Sequence, residues 1–212
     1  MNIVSYLTEI YGYDTPIFIK DVRIGRKSKT AIREEFYRAT KRGELERKSS
    51  GVYLVRSNKE FGSGITFNEI IESKYIYSDN ISHVFKELFI EGYYSGLTFL
   101  NMIGISEQVP AMPEVTTNKT SSKKRYYFSG DSVAIVRKAR TTVTSQNYKE
   151  LQFFDMFHFL SLEEIKKNKD LIIDYAKKNG IGRHSYQRCI KFYGPQTLKK
   201  LVEGGIVDAF IQ

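Results

Sequence analysis

Apolar residues at helical spacing, followed at once by a short hairpin pattern, constrain the front of this chain most strongly. Ser28 is a favourable N-cap, and Ile32, Phe36 and Ala39 recur at positions i, i+4 and i+7 of one stripe after it. This spacing predicts a helix from Lys29 to Lys41 that buries one face and exposes the other.

Strand-forming residues flank a tight turn directly after this helix. Residues 45–48 and 52–55 are separated by Ser49-Ser50-Gly51, which is typical of a β-hairpin. Upstream, apolar residues at positions 3, 7 and 10 predict a first helix, and residues 17–22 predict an extended entry into a second helix. The predicted order of three helices and a hairpin is that of a winged helix-turn-helix.

The outer face of the predicted Lys29–Lys41 helix carries many hydrogen-bond donors. Further cations crowd its N-terminal end, where a recognition helix presents donors to the major groove, and two lie beside the hairpin turn. A basic face on an isolated helix is solvated without a ligand about as often as it binds DNA. The basic hairpin that adjoins this helix favours binding to duplex DNA. The candidate DNA contacts are Arg26, Lys27, Lys29, Thr30, Arg33, Tyr37, Lys41, Arg47 and Lys48.

Charge and cysteine content narrow the class of protein further. The 212 residues carry a net charge of +9, and residues 1–60 contribute +5 of it from 13 basic and 8 acidic side chains. This excess favours nucleic acid as a partner, with an anionic membrane surface as the alternative. The single cysteine, Cys189, permits no intramolecular disulfide, and no stretch approaches the roughly 20 apolar residues of a membrane span. We therefore expect a soluble, cytoplasmic protein.

The rest of the chain has the pattern of a second domain. Two glycines and a serine at residues 60–64 mark a boundary, which predicts a DNA-binding domain over residues 1–60 and a C-terminal domain over residues 61–212. Short helices at 67–74 and 95–103, strands at 125–128 and 133–136, and helices from Leu151 onward follow. The predicted fold class is α+β, with a winged helix-turn-helix before a mixed α/β domain that ends in helices.

Residues 121–128 interleave lysine and arginine with Tyr126, Tyr127 and Phe128. Surfaces that bind single-stranded nucleic acid have this composition. An edge strand that carries core aromatics and protective lysines has it too, and we favour that second interpretation.

Residue types that would indicate catalysis are sparse. Gly25-Arg26-Lys27-Ser28 lacks the spacing of a phosphate-binding loop. Asp155 and His158 stand at i, i+3 on a predicted helix and offer only two ligands for a metal, while His83 and His184 have no supporting neighbours. We expect no metal, no cofactor and no enzymatic activity.

The longest specific motif is Gly92-Tyr93-Tyr94-Ser95-Gly96-Leu97-Thr98-Phe99-Leu100-Asn101-Met102-Ile103-Gly104-Ile105-Ser106-Glu107-Gln108-Val109-Pro110. With Ser50-Gly51-Val52-Tyr53, Val115-Thr116-Thr117-Asn118 and Leu151-Gln152-Phe153-Phe154-Asp155, it resembles the AbiEi-type antitoxins of type IV toxin-antitoxin systems. Leu97, Leu100 and Ile103 have helical spacing, which indicates a packing role for the long motif. The segment of residues 77–91 is longer than the corresponding segment that the resemblance implies. This extra length predicts an additional helical turn there.

The resemblance implies an antitoxin and transcriptional autorepressor from a bacterial phage-resistance (abortive infection) system. Its winged helix would bind inverted repeats in its own promoter, and its C-terminal domain would counteract a cognate AbiEii-like nucleotidyltransferase toxin, with or without a stable complex. The alternative is a stand-alone winged-helix transcription factor with a ligand-sensing or dimerisation domain. A third hypothesis, a metal-dependent nuclease built on Asp155 and His158, has the least support.

Overall fold

The structure, a computed structural model, is a mixed α+β fold with two β-sheets. It describes residues 2–57, 65–78 and 89–211. These residues form two compact units, one of residues 2–57, 65–74, 78 and 128–132, and one of residues 75–77, 89–127 and 133–211. The boundary predicted at residues 60–64, His83 and most of the segment 77–91 lie outside the described residues.

Two helices and a three-stranded antiparallel sheet build the first unit. The strand order is β1-β3-β2, with Ile17 opposite Tyr53 and Leu45 opposite Val55. The helices bury Ile3, Leu7, Ile32, Phe36 and Ala39 against this sheet in a single core. The elements are α1 (Ile3–Tyr11), β1 (Ile17–Phe18), α2 (Lys29–Lys41), β2 (Leu45–Ser49) and β3 (Val52–Val55), followed by α3 (Phe67–Ile71) and a π-helical turn (Glu72–Ile76).

The predicted α2 and hairpin are confirmed in detail. The Ser28 side chain accepts a hydrogen bond from the Ala31 amide at 3.2 Å and caps the helix, and Gly43 adopts φ +75° after its end. Gly51 adopts φ +77° in the hairpin turn, a conformation that glycine tolerates without strain.

The predicted second helix does not form after residue 17. Ile17 and Phe18 pair with β3 instead, and the Asp21 amide donates to the Phe18 carbonyl in a turn. The Arg23 guanidinium donates to the carbonyls of Lys20 and Val22, so that side-chain bonds satisfy backbone groups that a helix would otherwise pair. The observed order is therefore helix, strand, helix, hairpin, and Lys29–Lys41 is the second helix.

A four-stranded sheet forms the centre of the second unit. Its order is β4-β5-β7-β6, with β4 antiparallel and β7 parallel to β5. The sheet and the first helix on it comprise β4 (Gly92–Tyr94), α4 (Gly96–Met102), β5 (Glu114–Thr117), β6 (Lys124–Ser129) and β7 (Ser132–Lys138).

The helical C-terminal region is also confirmed. Its core is aromatic, with Phe153, Phe154 and Phe157 fully buried, whereas His158 and Leu171 are exposed. The helices are α5 (Tyr148–Met156), α6 (Leu162–Lys167), α7 (Lys169–Lys178), α8 (Arg183–Cys189), α9 (Pro195–Glu203) and α10 (Asp208–Ile211). Within the described ranges, no helix has the length and apolar character needed to cross a bilayer.

The Gly92–Pro110 motif forms the sharp connection from β4 into α4. The prediction that Leu97 packs in the core is wrong, since its side chain is 44% exposed. The residues that α4 buries are Gly96, Phe99 and Leu100. Gly96 adopts φ +57°, and a Cβ atom there would overlap the Glu114 carboxylate, with its Cδ at 2.6 Å. The motif therefore combines apolar packing with a close approach to a buried carboxylate that only glycine permits.

We predict that Gly96→Ala lowers the free energy of unfolding by at least about 2 kcal/mol more than Gly104→Ala does. Gly104 adopts φ +77° in open space, so its substitution incurs only the cost of positive φ, about 1–2 kcal/mol. Gly96→Ala must in addition displace Glu114. Urea unfolding of both variants measures the difference, and equal losses would contradict the proposed overlap.

Candidate nucleic-acid interface

The outer face of α2 places most of the predicted contacts on one surface. Phe36 and Ile32 are buried, whereas Lys29, Thr30 and Arg33 are exposed on the first two turns. Further along, Tyr37 is 63% exposed, and the Lys41 Nζ lies 5.7 Å from the centre of its ring. Cations, a hydroxyl and a phenol thus line a helix face that is open to a ligand.

The loop before α2 adds two exposed cations, Arg26 and Lys27. Lys27 already pairs with Glu35 of α2, with 2.5 Å between Nζ and Oε1. Because this carboxylate competes for Lys27, a DNA phosphate would gain less from Lys27 than from an unpaired cation. Arg26 has no such carboxylate partner within the described residues.

A hollow of about 80 Å³ lies at the start of α2. Its apolar wall is formed by Ile19, Val22 and Ile32, and its cations are Lys20, Lys29 and Arg33. Lys29 and Arg33 form no ion pair in the part of the chain that the structure describes. Sequence reasoning missed Lys20, because only the turn that replaces the predicted second helix brings it beside α2.

The hairpin contributes Arg47, which is exposed, and Lys48, which is half-buried. Lys48 pairs with Glu46 at 2.7 Å, and the same carboxylate accepts a hydrogen bond from Arg56 Nε at 2.5 Å. The bond from Arg56, followed by the bond from Lys48, holds the pKa of Glu46 below its ordinary value despite some burial. Arg56 is a hairpin cation that the sequence reasoning did not select, since it lies just beyond the strand pattern.

Residues 124–128 of the cluster lie on the edge strand β6, as predicted. Its aromatics are not all core residues, however, since Tyr126 is 50% and Phe128 is 65% exposed. Tyr127 is the one that packs inward, with its ring in an edge contact with Tyr75 at 5.6 Å.

Asp155 and His158 differ in their surroundings. Asp155 is buried and accepts a hydrogen bond from Arg140 Nε at 3.2 Å, whereas His158 is exposed. The other described histidine, His184, is exposed on α8. Within the described ranges, no three His, Cys, Asp or Glu side chains are grouped closely enough to hold a metal ion.

Asp155 belongs instead to a buried polar network. The Thr116 Oγ1 lies 2.9 Å from Ser95 Oγ and 3.5 Å from Asp155 Oδ2. Burial, the largest effect, raises the pKa of Asp155 above its ordinary value, although Arg140, His158 and Arg137 act to lower it. The folded protein therefore holds the Asp155 proton more tightly than the unfolded chain does.

Neither protein-family models nor curated proteins give a match to the chain.

We predict a pH-dependent effect of Asp155→Asn on stability. Since the folded pKa of Asp155 is raised, its contribution is fully present below the unfolded pKa near 3.8 and is lost as pH rises through the folded pKa. The free energy of unfolding of wild type minus that of the variant should therefore fall as pH rises above about 4. Urea unfolding at a series of pH values from about 4 upward measures it. Asp174→Asn removes an exposed carboxylate as a control, and a difference that rises with pH would contradict the raised pKa.

Proposed function

We propose that the chain is a DNA-binding transcriptional regulator whose N-terminal unit acts as a winged helix. The single observation that carries this proposal is the exposed face of α2, where Lys29 and Arg33 are unpaired within the described residues and adjoin a cationic hollow. α2 would lie in the major groove, and the β2–β3 hairpin would act as the wing along the flanking backbone.

The proposed contacts divide into two kinds. In this proposal Arg33 and Tyr37, which are exposed on α2, would contact base edges, as Arg does when it pairs with guanine. Lys29, with Lys20 at the hollow, would bind a backbone phosphate near the helix N-terminus. Arg47, which is exposed on the hairpin, would contact the phosphates beside the wing.

A finer proposal rests on the resemblance of the Gly92–Pro110 motif to AbiEi-type antitoxins. In it the protein represses its own operon by binding inverted repeats in the promoter. The second unit counteracts a nucleotidyltransferase toxin encoded beside it, without catalysis by this chain.

The DNA-binding proposal predicts a specific effect of Lys29→Ala combined with Arg33→Ala. The affinity for a duplex from the promoter of the chain should fall at least about tenfold, since a base contact by Arg alone contributes about 1–3 kcal/mol. The slope of log affinity against log salt should also become shallower, by roughly 0.9 for each DNA phosphate that the variant no longer neutralises. Fluorescence anisotropy across a salt series measures both.

A matched control is available at the C-terminal end of α2, where Arg42 is the C-cap. Arg38→Ala with Arg42→Ala also removes two positive charges, but Arg38 pairs with Glu34 at 3.2 Å and Arg42 with Glu44 at 2.8 Å. This control should lose much less affinity. An unchanged affinity in the Lys29/Arg33 variant, or an equal loss in both variants, would reject α2 as the recognition helix.

The antitoxin proposal is tested by separating the two activities in the full chain. The Lys29→Ala/Arg33→Ala variant should lose repression of a promoter reporter yet still restore growth when co-expressed with the adjacent toxin gene. Repression by wild type without any rescue of growth would favour a stand-alone transcription factor instead.

A further inference from the structure

Two arginines of the second unit are anchored to carboxylates that lie almost entirely inside the fold. Arg137 Nε donates to Glu114 Oε1, and Arg140 Nε donates to Asp155 Oδ1 at 3.2 Å. The side chains of Glu114 and Asp155 are only 9% and 8% exposed. These pairs are therefore built into the fold, unlike ordinary ion pairs between two solvated side chains.

Aromatic rings fix the same two guanidinium groups from a second direction. The Arg137 Cζ lies 5.5 Å from the centre of the Phe159 ring, and the Arg140 Cζ lies 5.1 Å from that of Tyr193. A guanidinium that is held by a carboxylate and a ring has little rotamer freedom left to lose when it binds a ligand.

The register of the sheet brings the two arginine–carboxylate pairs close to each other. Thr116 of β5 is paired with Arg137 of β7, and Glu114 lies two residues away on the same face of β5. Thr116 in turn lies 3.5 Å from Asp155. Arg137, Arg140 and the exposed His158 are all near enough to Asp155 for their charges to act on it.

The side chains of both arginines are partly open to solvent. Their side chains are 28% and 36% exposed, and within the described residues the Nη groups of Arg137 and Arg140 have no hydrogen-bond acceptor. Since Nε faces the carboxylate, the Nη groups are the donors left to solvent. The two Nη groups of one guanidinium form a fork of N–H donors. Two such forks match the oxygens and the double negative charge of a phosphate group.

We propose that Arg137 and Arg140 form a binding site for the phosphate group of a small molecule, either inorganic phosphate or a nucleoside phosphate. Glu114, Asp155, Phe159 and Tyr193 position the two guanidinium groups and do not contact the ligand. The site lies in a different unit from α2 and does not depend on DNA binding.

Calorimetric titration of the full chain tests this site. Lys29→Ala/Arg33→Ala serves as the parent protein, so that the cations of α2 do not bind the probes. Inorganic phosphate and ATP are titrated separately at constant ionic strength in chloride. Saturable binding of one equivalent is expected, and the arm with the higher affinity identifies the source of the phosphate group.

Substitutions at the two arginines should weaken this binding at least about tenfold, because they remove hydrogen bonds to a charged group. Arg137→Gln and Arg140→Gln remove the positive charge. Arg137→Lys and Arg140→Lys keep the charge but remove the fork of N–H donors. The lysine variants therefore test the site if a glutamine variant fails to fold. Lys138→Gln is the matched control, since Lys138 is exposed and follows Arg137 on the opposite face of β7.

Three results would overturn the proposal. The first is an absence of saturable binding of either probe to the folded parent. The second is undiminished affinity in the folded arginine variants. The third is an equal loss in Lys138→Gln, which would indicate diffuse charge attraction without a defined site.

Discussion

Burial of Phe36 determines how the first unit presents its polar surface. The ring is fully buried and meets Tyr53 of β3 edge-on at 4.9 Å, within the core that joins α1, α2 and the sheet. Because a helix turns about 100° per residue, fixing Phe36 inside also fixes Arg33 and Tyr37 outside. A single apolar contact thus orients the donors on which the proposed DNA contacts rest.

The parts of the fold that the sequence predicted correctly are those that depend on neighbours in the chain. The α2 cap at Ser28, its buried stripe and the turn at Gly51 involve residues within a few positions of one another. The exposed face of α2 could be predicted for the same reason, since helical spacing alone relates Arg33 to Ile32. Local chemistry was sufficient wherever the hydrogen-bond partners were local.

The errors arose where distant residues decide the outcome. Ile17 and Phe18 form a strand because β3, more than 30 positions later, offers them a free edge, and that pairing prevents the predicted helix. Lys48 is a weaker candidate contact than the sequence indicated, because Glu46 faces it in the folded hairpin. Leu97 has the spacing of a core residue, yet the approach of Glu114 to Gly96 sets which side of α4 is buried.

The two units hold their cations in physically different ways, and this difference bears on what each can bind. Lys29 and Arg33 are exposed and unpaired among the described residues, which suits a polyanion whose many phosphates release counterions on binding. Arg137 and Arg140 are oriented by buried carboxylates that also cancel much of their charge, so long-range attraction there is weak. Such a site gains affinity from the geometry of its donors, which suits one small anion better than a long charged backbone.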